Sequence, residues 1–274
     1  KGNIEDKGVD KLIDAVQEAA DLADNLKCEA FLAFATSAVR SAANAEEVLE
    51  RVEKKTDVRL RVLSGEEEAR LTFLAARRWY GWSAGRITNL DIGGGSLELS
   101  TGTEESPDLA VSLDLGAGRL THQWFDTDPP ERKKINMLRD FIDAELAPAA
   151  EEFKAMGQAG LAVGTSKTFR SLARLTGAAP SSAGPHVKRT LTAAGLRQLI
   201  AFISRMTAAD RAELEGINAD RSHQIVAGAL VAEAAMRALS LDKLEICPWA
   251  LREGVILKWI DQGHAPGMNE GEDD

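Results

Sequence analysis

Apolar and polar positions follow two different periods along this chain, and together they predict an α/β protein. Apolar residues that recur every three or four positions predict a first helix that ends near Leu26. The same period predicts helices at 134–146, 167–175, 193–206, 221–239 and 250–260. Short apolar or alternating runs predict strands at 30–35, 58–62, 87–92, 97–101, 109–115, 160–163 and 244–247. Strands interspersed with helices in this way are typical of α/β folds.

Length and local composition predict two domains and a tail. The chain has 274 residues, which exceeds the usual size of one domain. The stretch Trp79-Tyr80-Gly81-Trp82 and the Ser-Ala-Gly that follows interrupt the periodic pattern, so we predict a domain boundary near residues 80 to 86. Residues 263–274 mix glycine, proline and acidic residues without apolar periodicity and predict a disordered tail.

Composition narrows the class of protein. No window has the apolar length of a membrane-spanning helix and the first residues lack a signal-peptide pattern, so we expect no membrane partner and a cytoplasmic location. The two cysteines, Cys28 and Cys247, do not form a disulfide or zinc pattern, and we expect both to be buried free thiols. A net charge of −10 argues against general nucleic-acid binding.

An acidic chain still permits local binding of an anion. Basic residues that converge on one cleft would bind it, and scattered solvation of these side chains is the alternative; the sequence leaves both open. The basic residues concerned are Arg40, Lys167, Arg170, Arg174, Lys188, Arg189, Arg221 and Arg252.

The segment Asp91-Ile92-Gly93-Gly94-Gly95-Ser96-Leu97-Glu98 carries the most chemical information. It joins two predicted strands, so it is neither a Rossmann nor a Walker motif, both of which open a helix. Gly93, Gly94 and Gly95 allow backbone N–H groups to approach an anion, and Ser96 adds a hydroxyl, which predicts a phosphate-binding turn. A plain hairpin turn is the alternative interpretation.

Carboxylates flank this turn. Asp91 and Glu98 suit a magnesium ion, with manganese as the alternative, because hard cations that neutralise phosphate are held through carboxylates and waters. Glu68, in the acidic run that follows Ser64-Gly65, is a candidate general base for an attacking water. The alternative is that these acids only favour the N-terminus of a helix.

Two further segments offer phosphate ligands. Arg40 follows a predicted strand and is a candidate phosphate clamp, with a surface salt bridge as the alternative. Ser166 and Lys167 lie where a strand passes into a helix and are candidates for binding an anion, with N-capping by Ser166 as the alternative. The scattered histidines give no metal or triad spacing, so nothing favours covalent catalysis.

Four motifs resemble the exopolyphosphatase/guanosine pentaphosphate phosphohydrolase family. They are Thr36 to Arg40, Ser64-Gly65-Glu66-Glu67-Glu68-Ala69-Arg70, Asp91 to Glu98, and Ala250-Leu251-Arg252-Glu253-Gly254-Val255, and the resemblance covers roughly residues 5 to 262.

The resemblance implies two ribonuclease-H-like domains of the actin-like ATPase superfamily with a cleft between them. Domain I would cover residues 1–85 and be completed by the helix at 250–262, and domain II would cover 86–249. It also implies that Glu68 is the catalytic glutamate, that Asp91 and Glu98 hold metal and water, and that Arg40 binds phosphate. A homodimer is a further implication.

Three differences from the family pattern are visible. The family's first phosphate loop does not precede Lys1, so the N-terminal strands of domain I are expected to be missing. Leu97 stands where threonine is usual, and Lys167 where another glycine is frequent. The short chain resembles the short form of the family.

The function expected from these features is removal of terminal orthophosphate from short inorganic polyphosphate. Guanosine pentaphosphate 5′-phosphohydrolase activity uses the same chemistry and is the alternative. A non-catalytic sensor that binds polyphosphate or nucleotide is the alternative of another class, and a kinase-type phosphotransferase is a weaker rival.

Overall fold

The computed structural model describes residues 2–263. They form two compact units, residues 2–64 with 259–263 and residues 65–258. The predicted tail therefore lies outside the described residues except for Gly263. The units divide after residue 64, whereas the sequence places a domain boundary near residue 85; the helix that begins at residue 65 packs within the second unit.

The first unit is small. Val9 and Val16 of its first helix and Val48 and Val52 of another are buried, which indicates that these two apolar stripes provide most of its core. Its two short strands pair in parallel. Its elements are α1 (Asp6–Asn25), β1 (Phe34–Ala35), α2 (Ser37–Arg40), α3 (Ala45–Thr56) and β2 (Arg61–Val62).

The second unit is built on a six-stranded sheet. Its elements, in chain order, are α4 (Gly65–Tyr80), β3 (Ile87–Ile92), β4 (Leu97–Gly102), β5 (Leu109–Leu113), α5 (Ala117–Trp124), α6 (Arg132–Ala155), β6 (Leu161–Gly164), α7 (Lys167–Leu175), β7 (Thr190–Thr192), α8 (Ala193–Ile203), α9 (Ala208–Ala212), α10 (Ile225–Ala238), β8 (Lys243–Ile246) and α11 (Leu251–Asp261), whose last residues belong to the first unit.

The strand order is β5-β4-β3-β6-β8-β7. Strands β3, β6 and β8 are parallel, and the other neighbours pair antiparallel. Parallel strands place their carboxyl ends at one edge, where α/β sheets usually bind ligands. The ends of β3 and β6 therefore meet at the same edge of the sheet.

Both faces of the central strand are covered. Ile87 packs with Phe73 and Ala76 of α4, whereas Leu90 and Ile92 belong to a larger core with α6, α7, α8 and α10. Because side chains alternate along a strand, Asn89 and Asp91 share the α4 face with Ile87. None of the described helices is long and apolar enough to cross a membrane.

Candidate functional site

Two carboxylates face each other on adjacent strands. Asp91 of β3 is paired directly with Glu98 of β4 in the antiparallel register. Residues in such pairs have Cβ atoms about 5 Å apart. Glu98 is 4% exposed and Glu68, on α4, is 7% exposed. Helix α4 packs on β3 and β4, so Glu68 reaches the strand face that carries this pair.

The three acids affect one another's ionisation. Burial and, to a smaller extent, the charges of Asp91 and Glu68 raise the pKa of Glu98 to about 8, although hydrogen bonds from the hydroxyls of Ser96 and Ser112 partly offset the rise. Burial also raises the pKa of Asp91, although a hydrogen bond from Thr165 and the positive charge of Arg170 partly offset this rise. The ionised forms of these carboxylates are therefore poorly stabilised by water, and a bound cation would stabilise them.

The glycine turn between β3 and β4 is fixed by the start of α5. The N–H groups of Ala117 and Arg119 donate to the carbonyls of Gly93 and Gly94 at 3.0 and 2.9 Å. The Arg119 Nε atom donates to the Gly95 carbonyl at 2.8 Å. Three successive carbonyls of the turn are thus bound on the side of α5.

This arrangement directs the amides of the turn to the opposite side. In a planar trans peptide the carbonyl of one residue and the N–H of the next point in opposite directions. The N–H groups of Gly94, Gly95 and Ser96 therefore point away from α5, and no described residue accepts a hydrogen bond from them. The Gly93 N–H closes the turn by donating to the Ser96 carbonyl at 2.9 Å.

The protein requires glycine at one position around the turn, whereas at another a side chain would meet open space. A Cβ on Gly116, just before α5, would lie 2.2 Å from the Gly95 carbonyl carbon, so only glycine lets α5 approach the turn. A Cβ on Gly94 would meet no atom within 4 Å. The described residues of this unit leave the space beside Gly94 open, and the turn has the form expected for a phosphate cradle.

The segment that joins β6 to α7 lies at the same edge of the sheet and forms hydrogen bonds with the end of β3. Thr165 donates its hydroxyl to Asp91 Oδ2 at 2.6 Å. The Ser166 hydroxyl oxygen accepts from the Ile92 and Phe169 N–H groups, both at 3.3 Å, and so caps α7. The Thr168 hydroxyl donates to the Ile92 carbonyl at 3.0 Å. These contacts fix the end of β3 beside α7.

The predicted site residues fall into three groups. Glu68, Asp91, Glu98 and the turn Gly93 to Ser96 lie at one edge of the sheet. Ser166 is beside them but its oxygen caps α7, and Lys167 is exposed and lines a neighbouring pocket. Arg40 is in the first unit, where its Nη1 donates to the Leu63 carbonyl. Phosphate binding by Arg40, Ser166 and Lys167 stays a prediction.

Four side chains at this edge were not predicted as site residues. Thr165 orients Asp91, Ser112 donates to Glu98 Oε1 at 3.0 Å, and Arg119 holds the turn. Arg170 adds positive charge beside Asp91. Arg170 had a signal in the sequence as one of the basic residues that could converge on an anion, whereas the position of Ser112 opposite Glu98 depends on the pairing of β5 with β4.

Metal binding has to be judged from this arrangement. Within residues 2–263 no group of three or more His, Cys, Asp or Glu side chains is arranged to hold a metal ion. Two carboxylates are nevertheless enough for magnesium, which commonly takes one or two carboxylates and completes its shell with water and substrate phosphate. Asp91 and Glu98 fit this donor set, because both are poorly solvated and have raised pKa values.

A family model and curated relatives both match this chain over nearly all of its length. The model of the Ppx/GppA phosphatase family matches residues 1–263. The chain is 66% identical over 260 residues to Exopolyphosphatase 1 of Mycobacterium tuberculosis, covering 95% of this chain and 76% of that protein. It is 64% identical over 260 residues to Exopolyphosphatase 1 of Mycobacterium leprae, with 95% and 77% covered.

Solved structures share the fold. The Aquifex aeolicus member of the Ppx/GppA family matches with a TM-score of 0.76 and 26% identity, covering 97% of this chain and 85% of that one. An exopolyphosphatase from Cytophaga hutchinsonii matches with a TM-score of 0.86 and 22% identity, with 96% and 85% covered. The ribonuclease-H-like, actin-like ATPase fold expected from the sequence is confirmed.

Proposed function

We propose that this chain, which belongs to the Ppx/GppA phosphatase family, is an exopolyphosphatase that releases terminal orthophosphate from inorganic polyphosphate. One observation carries the proposal: three amides without a described partner lie beside a pair of buried carboxylates at the same edge of the sheet. An amide cradle binds phosphate oxygens, and the acids supply what hydrolysis needs in addition. Relatives at 66% and 64% identity that carry the name Exopolyphosphatase 1 support this choice of substrate.

In the proposed reaction the glycine turn binds the terminal phosphate and the acidic side chains assist the attack of water on it. The N–H groups of Gly94, Gly95 and Ser96 hold oxygens of the terminal phosphate. Glu68 accepts a proton from a water whose oxygen forms the new bond to the terminal phosphorus. The bond from that phosphorus to the bridging oxygen breaks, and its electron pair stays on the oxygen of the shortened chain. Thr165 holds the Asp91 carboxylate in place throughout.

A divalent metal requirement is general in this family, and we propose magnesium at Asp91 and Glu98, with manganese as the substitute. When bound, the ion neutralises charge that develops on the phosphate oxygens. The chain's own contribution is a buried carboxylate pair whose mutual repulsion disfavours the ionised state of Glu98 in the absence of a cation.

The central test is orthophosphate release from short polyphosphate with magnesium, comparing wild type with Glu68→Gln. We expect a loss of about a hundredfold or more in kcat, since a positioned general base contributes about that much. Glu66→Gln is the matched control, because Glu66 is on the same helix turn but is exposed and pairs with Arg70. Equal rates for the two variants would remove Glu68 from the mechanism.

The same assay separates the rival functions. Guanosine pentaphosphate offered at equal concentration tests the alternative substrate, and the ratio of the two kcat/KM values decides between them. A folded wild type that binds polyphosphate but releases no phosphate would leave the sensor as the function.

The homodimer and the cytoplasmic location expected from the sequence are also part of this proposal. A homodimer is checked by sedimentation of the purified protein, and a cytoplasmic location by fractionation of cells.

A further inference from the structure

A buried polar pair lies next to the proposed carboxylate site. Three directly opposed pairs of β3 and β4 share the α4 face of the sheet, and we call them the inner, middle and outer pairs; they are Ile87 with Gly102, Asn89 with Ser100, and Asp91 with Glu98. The outer pair carries the proposed metal ligands. The middle pair is polar, and both of its residues are 0% exposed. The proposed reaction uses neither Asn89 nor Ser100.

The polar atoms of the middle pair have no hydrogen-bond partner in the part of the chain that the structure describes. They are Asn89 Oδ1, Asn89 Nδ2 and Ser100 Oγ. A buried polar group without a partner destabilises a fold, and most such groups in native proteins bond to protein or to ordered water. Two of them on directly opposed residues therefore indicate that another molecule bonds to both.

The opposite face of the same hairpin satisfies its buried polar pair directly. Thr88 and Thr101 are also opposed and buried, and their hydroxyl oxygens are 3.0 Å apart. The Thr101 hydroxyl donates to the Ile87 carbonyl at 3.0 Å, so the Thr88 hydroxyl is the donor to Thr101. Polar side chains buried in this hairpin can thus bond to each other, whereas those of Asn89 and Ser100 do not.

Helix α4 covers the middle pair with a small side chain. The Cζ atom of Phe73 is 3.3 Å from the point where a Cβ on Gly102 would lie, so Phe73 covers the inner pair. The charge of Glu68 acts on Glu98, so Glu68 lies at the outer pair. Ala69 is buried one helical turn before Phe73, about 6 Å along α4, and neighbouring pairs are about 7 Å apart along the strands. Ala69 therefore faces the middle pair with a single methyl group.

The chemistry of the middle pair suits a water molecule. The amide of Asn89 offers both donors and acceptors, and so does the hydroxyl of Ser100. A cation would meet the amide N–H groups, and an anion would meet the carboxylates of the outer pair. A water both donates and accepts, and a buried water typically forms about three hydrogen bonds. It also bridges polar groups that are too far apart for direct contact, as the middle and outer pairs are.

We infer that Asn89 and Ser100 hold a buried water that donates a hydrogen bond to a carboxylate of the outer pair, and that these two residues thereby position the proposed metal ligands. The water itself follows from the hairpin, whereas its effect on the reaction rests on the proposed function. A carboxylate has about four lone-pair sites. One that accepts from the water on its inner side keeps the others for the cation and for the substrate side. Asn89 and Ser100 are thus positioning residues.

The test removes both polar groups together. In the double variant Asn89→Leu with Ser100→Ala, the larger leucine takes up about the 30 Å³ of one expelled water. We expect the magnesium concentration for half-maximal phosphate release to rise about tenfold, as when groups that orient metal ligands are lost. Calorimetric binding of magnesium in the presence of phosphate should weaken by the same factor. The unfolding midpoint in chelator should be no lower than that of wild type, because apolar replacement of both partners costs little.

Thr88→Val is the matched control. It keeps the shape of the side chain and removes a buried hydroxyl from the opposite face of β3, where the hydroxyl has a protein partner. We expect a lower unfolding midpoint and an unchanged magnesium affinity. The control and the double variant therefore separate loss of stability from loss of magnesium affinity.

Two further measurements test the water directly. A high-resolution crystal structure of wild type should show an ordered water roughly 2.7 to 3.2 Å from Asn89, from Ser100 and from an oxygen of Asp91 or Glu98, and the double variant should lack it. Ser100→Ala alone should lower the unfolding midpoint, because it removes a hydrogen bond to the water. A hydroxyl that had no partner at all would give a higher midpoint when removed.

Four results would overturn the inference. They are a direct hydrogen bond between Asn89 and Ser100 with no water beside it, a Ser100→Ala variant more stable than wild type, an unchanged magnesium affinity in the double variant, and a loss of affinity in Thr88→Val as large as in the double variant. If wild type releases no phosphate, the proposed function fails. The crystal structures, the unfolding midpoints and the calorimetric magnesium binding still decide whether the water is held and whether it acts on the carboxylates.

Discussion

Thr165 donates a hydrogen bond of 2.6 Å to Asp91 Oδ2, joining the ends of two parallel strands that are 74 residues apart in the chain. The hydroxyl fixes the orientation of a carboxylate that we propose as a metal ligand. Partners of this kind commonly change metal affinity or activity by about 10-fold to 100-fold when they are removed.

Thr165→Val tests this role. The change keeps the shape of the side chain and removes the donor, so we expect about a tenfold rise in the magnesium concentration needed for half-maximal activity. Thr165→Ser restores the hydroxyl and should restore the wild-type requirement. A loss of kcat at saturating magnesium with no shift in the magnesium requirement would contradict a role through the metal.

The glycines around the turn give a paired prediction. Gly116→Ala places a Cβ against the backbone of Gly95, which must move, and we expect destabilisation of about 1 to 3 kcal/mol as in overpacked interiors. Gly94→Ala meets open space in the protein and should leave the unfolding midpoint unchanged, but it places a methyl group where we propose phosphate binds.

Urea unfolding and steady-state kinetics separate the two effects. Gly94→Ala should raise KM for short polyphosphate about tenfold, the loss expected when one charge-assisted contact is prevented. An unchanged KM would show that phosphate does not bind on the side of the turn toward which this Cβ points. An unchanged stability of Gly116→Ala would contradict the close approach of α5.

The central strands could be predicted from the sequence because their burial is visible in it. Strand β3 is predicted at both ends and β4 to within one residue, since both faces are covered and the segments are almost wholly apolar between clear turns. The carboxylates and the glycine turn lie within this one local hairpin. Their proximity follows from the chain itself, without long-range information.

Elements that depend on distant contacts were either missed or predicted with different bounds. The short helix α5 begins within Gly116-Ala117-Gly118, a sequence typical of a loop, and its glycines are explained only by the nearby turn. Helix α6 continues to Ala155 although the pattern predicts an end near 146, because Pro148 is accommodated inside it while Ala149, Ala150 and Phe153 remain buried. The strand predicted at 30–35 is reduced to Phe34–Ala35.

Dependence on distant contacts also limited what the sequence could predict about the site. Thr165 contacts Asp91 only because β6 pairs with β3, and no local pattern indicates which strands are neighbours. Convergence of the basic residues was left open by the sequence for the same reason. Five of them line one pocket, whereas Lys188 pairs with Glu245 outside it.

The two cysteines provide a simple check of burial. The prediction that both are buried is wrong for Cys28, which is exposed just after the end of α1, and correct for Cys247. Burial raises the pKa of the Cys247 thiol to about 12, so its reactive thiolate is scarce at neutral pH. We expect a thiol reagent at pH 8 to modify one cysteine in the native protein and two in guanidinium chloride.

A Cys28→Ser variant identifies the reactive thiol. The native variant should take up no label within the time in which wild type is fully modified. Rapid labelling of this variant would show that Cys247 is accessible and would contradict its packing beside Val163 and Phe73.

The raised pKa of Glu98 predicts a pH dependence of stability in the metal-free protein. The pKa is about 8 in the folded chain against an ordinary value of 4.5, so the folded state binds the proton more tightly than the unfolded state. The stabilisation from protonated Glu98 is fully present below about pH 4.5 and is lost as the pH rises through about 8. Ionised Glu98 is then buried against Asp91 and Glu68 without a compensating cation.

Glu98→Gln removes the ionisation while it keeps the size and polarity of the side chain. With a chelator present, we expect this variant to have a higher unfolding midpoint than wild type at pH 8 to 9, and the difference to vanish near pH 5. Magnesium with phosphate should raise the midpoint of wild type at pH 8 and leave that of the variant nearly unchanged, because ligands stabilise only the state that binds them. A wild type more stable than Glu98→Gln at pH 9 in chelator would mean that Glu98 is ionised at little cost, and that the three acids do not form the closely coupled site proposed for the metal.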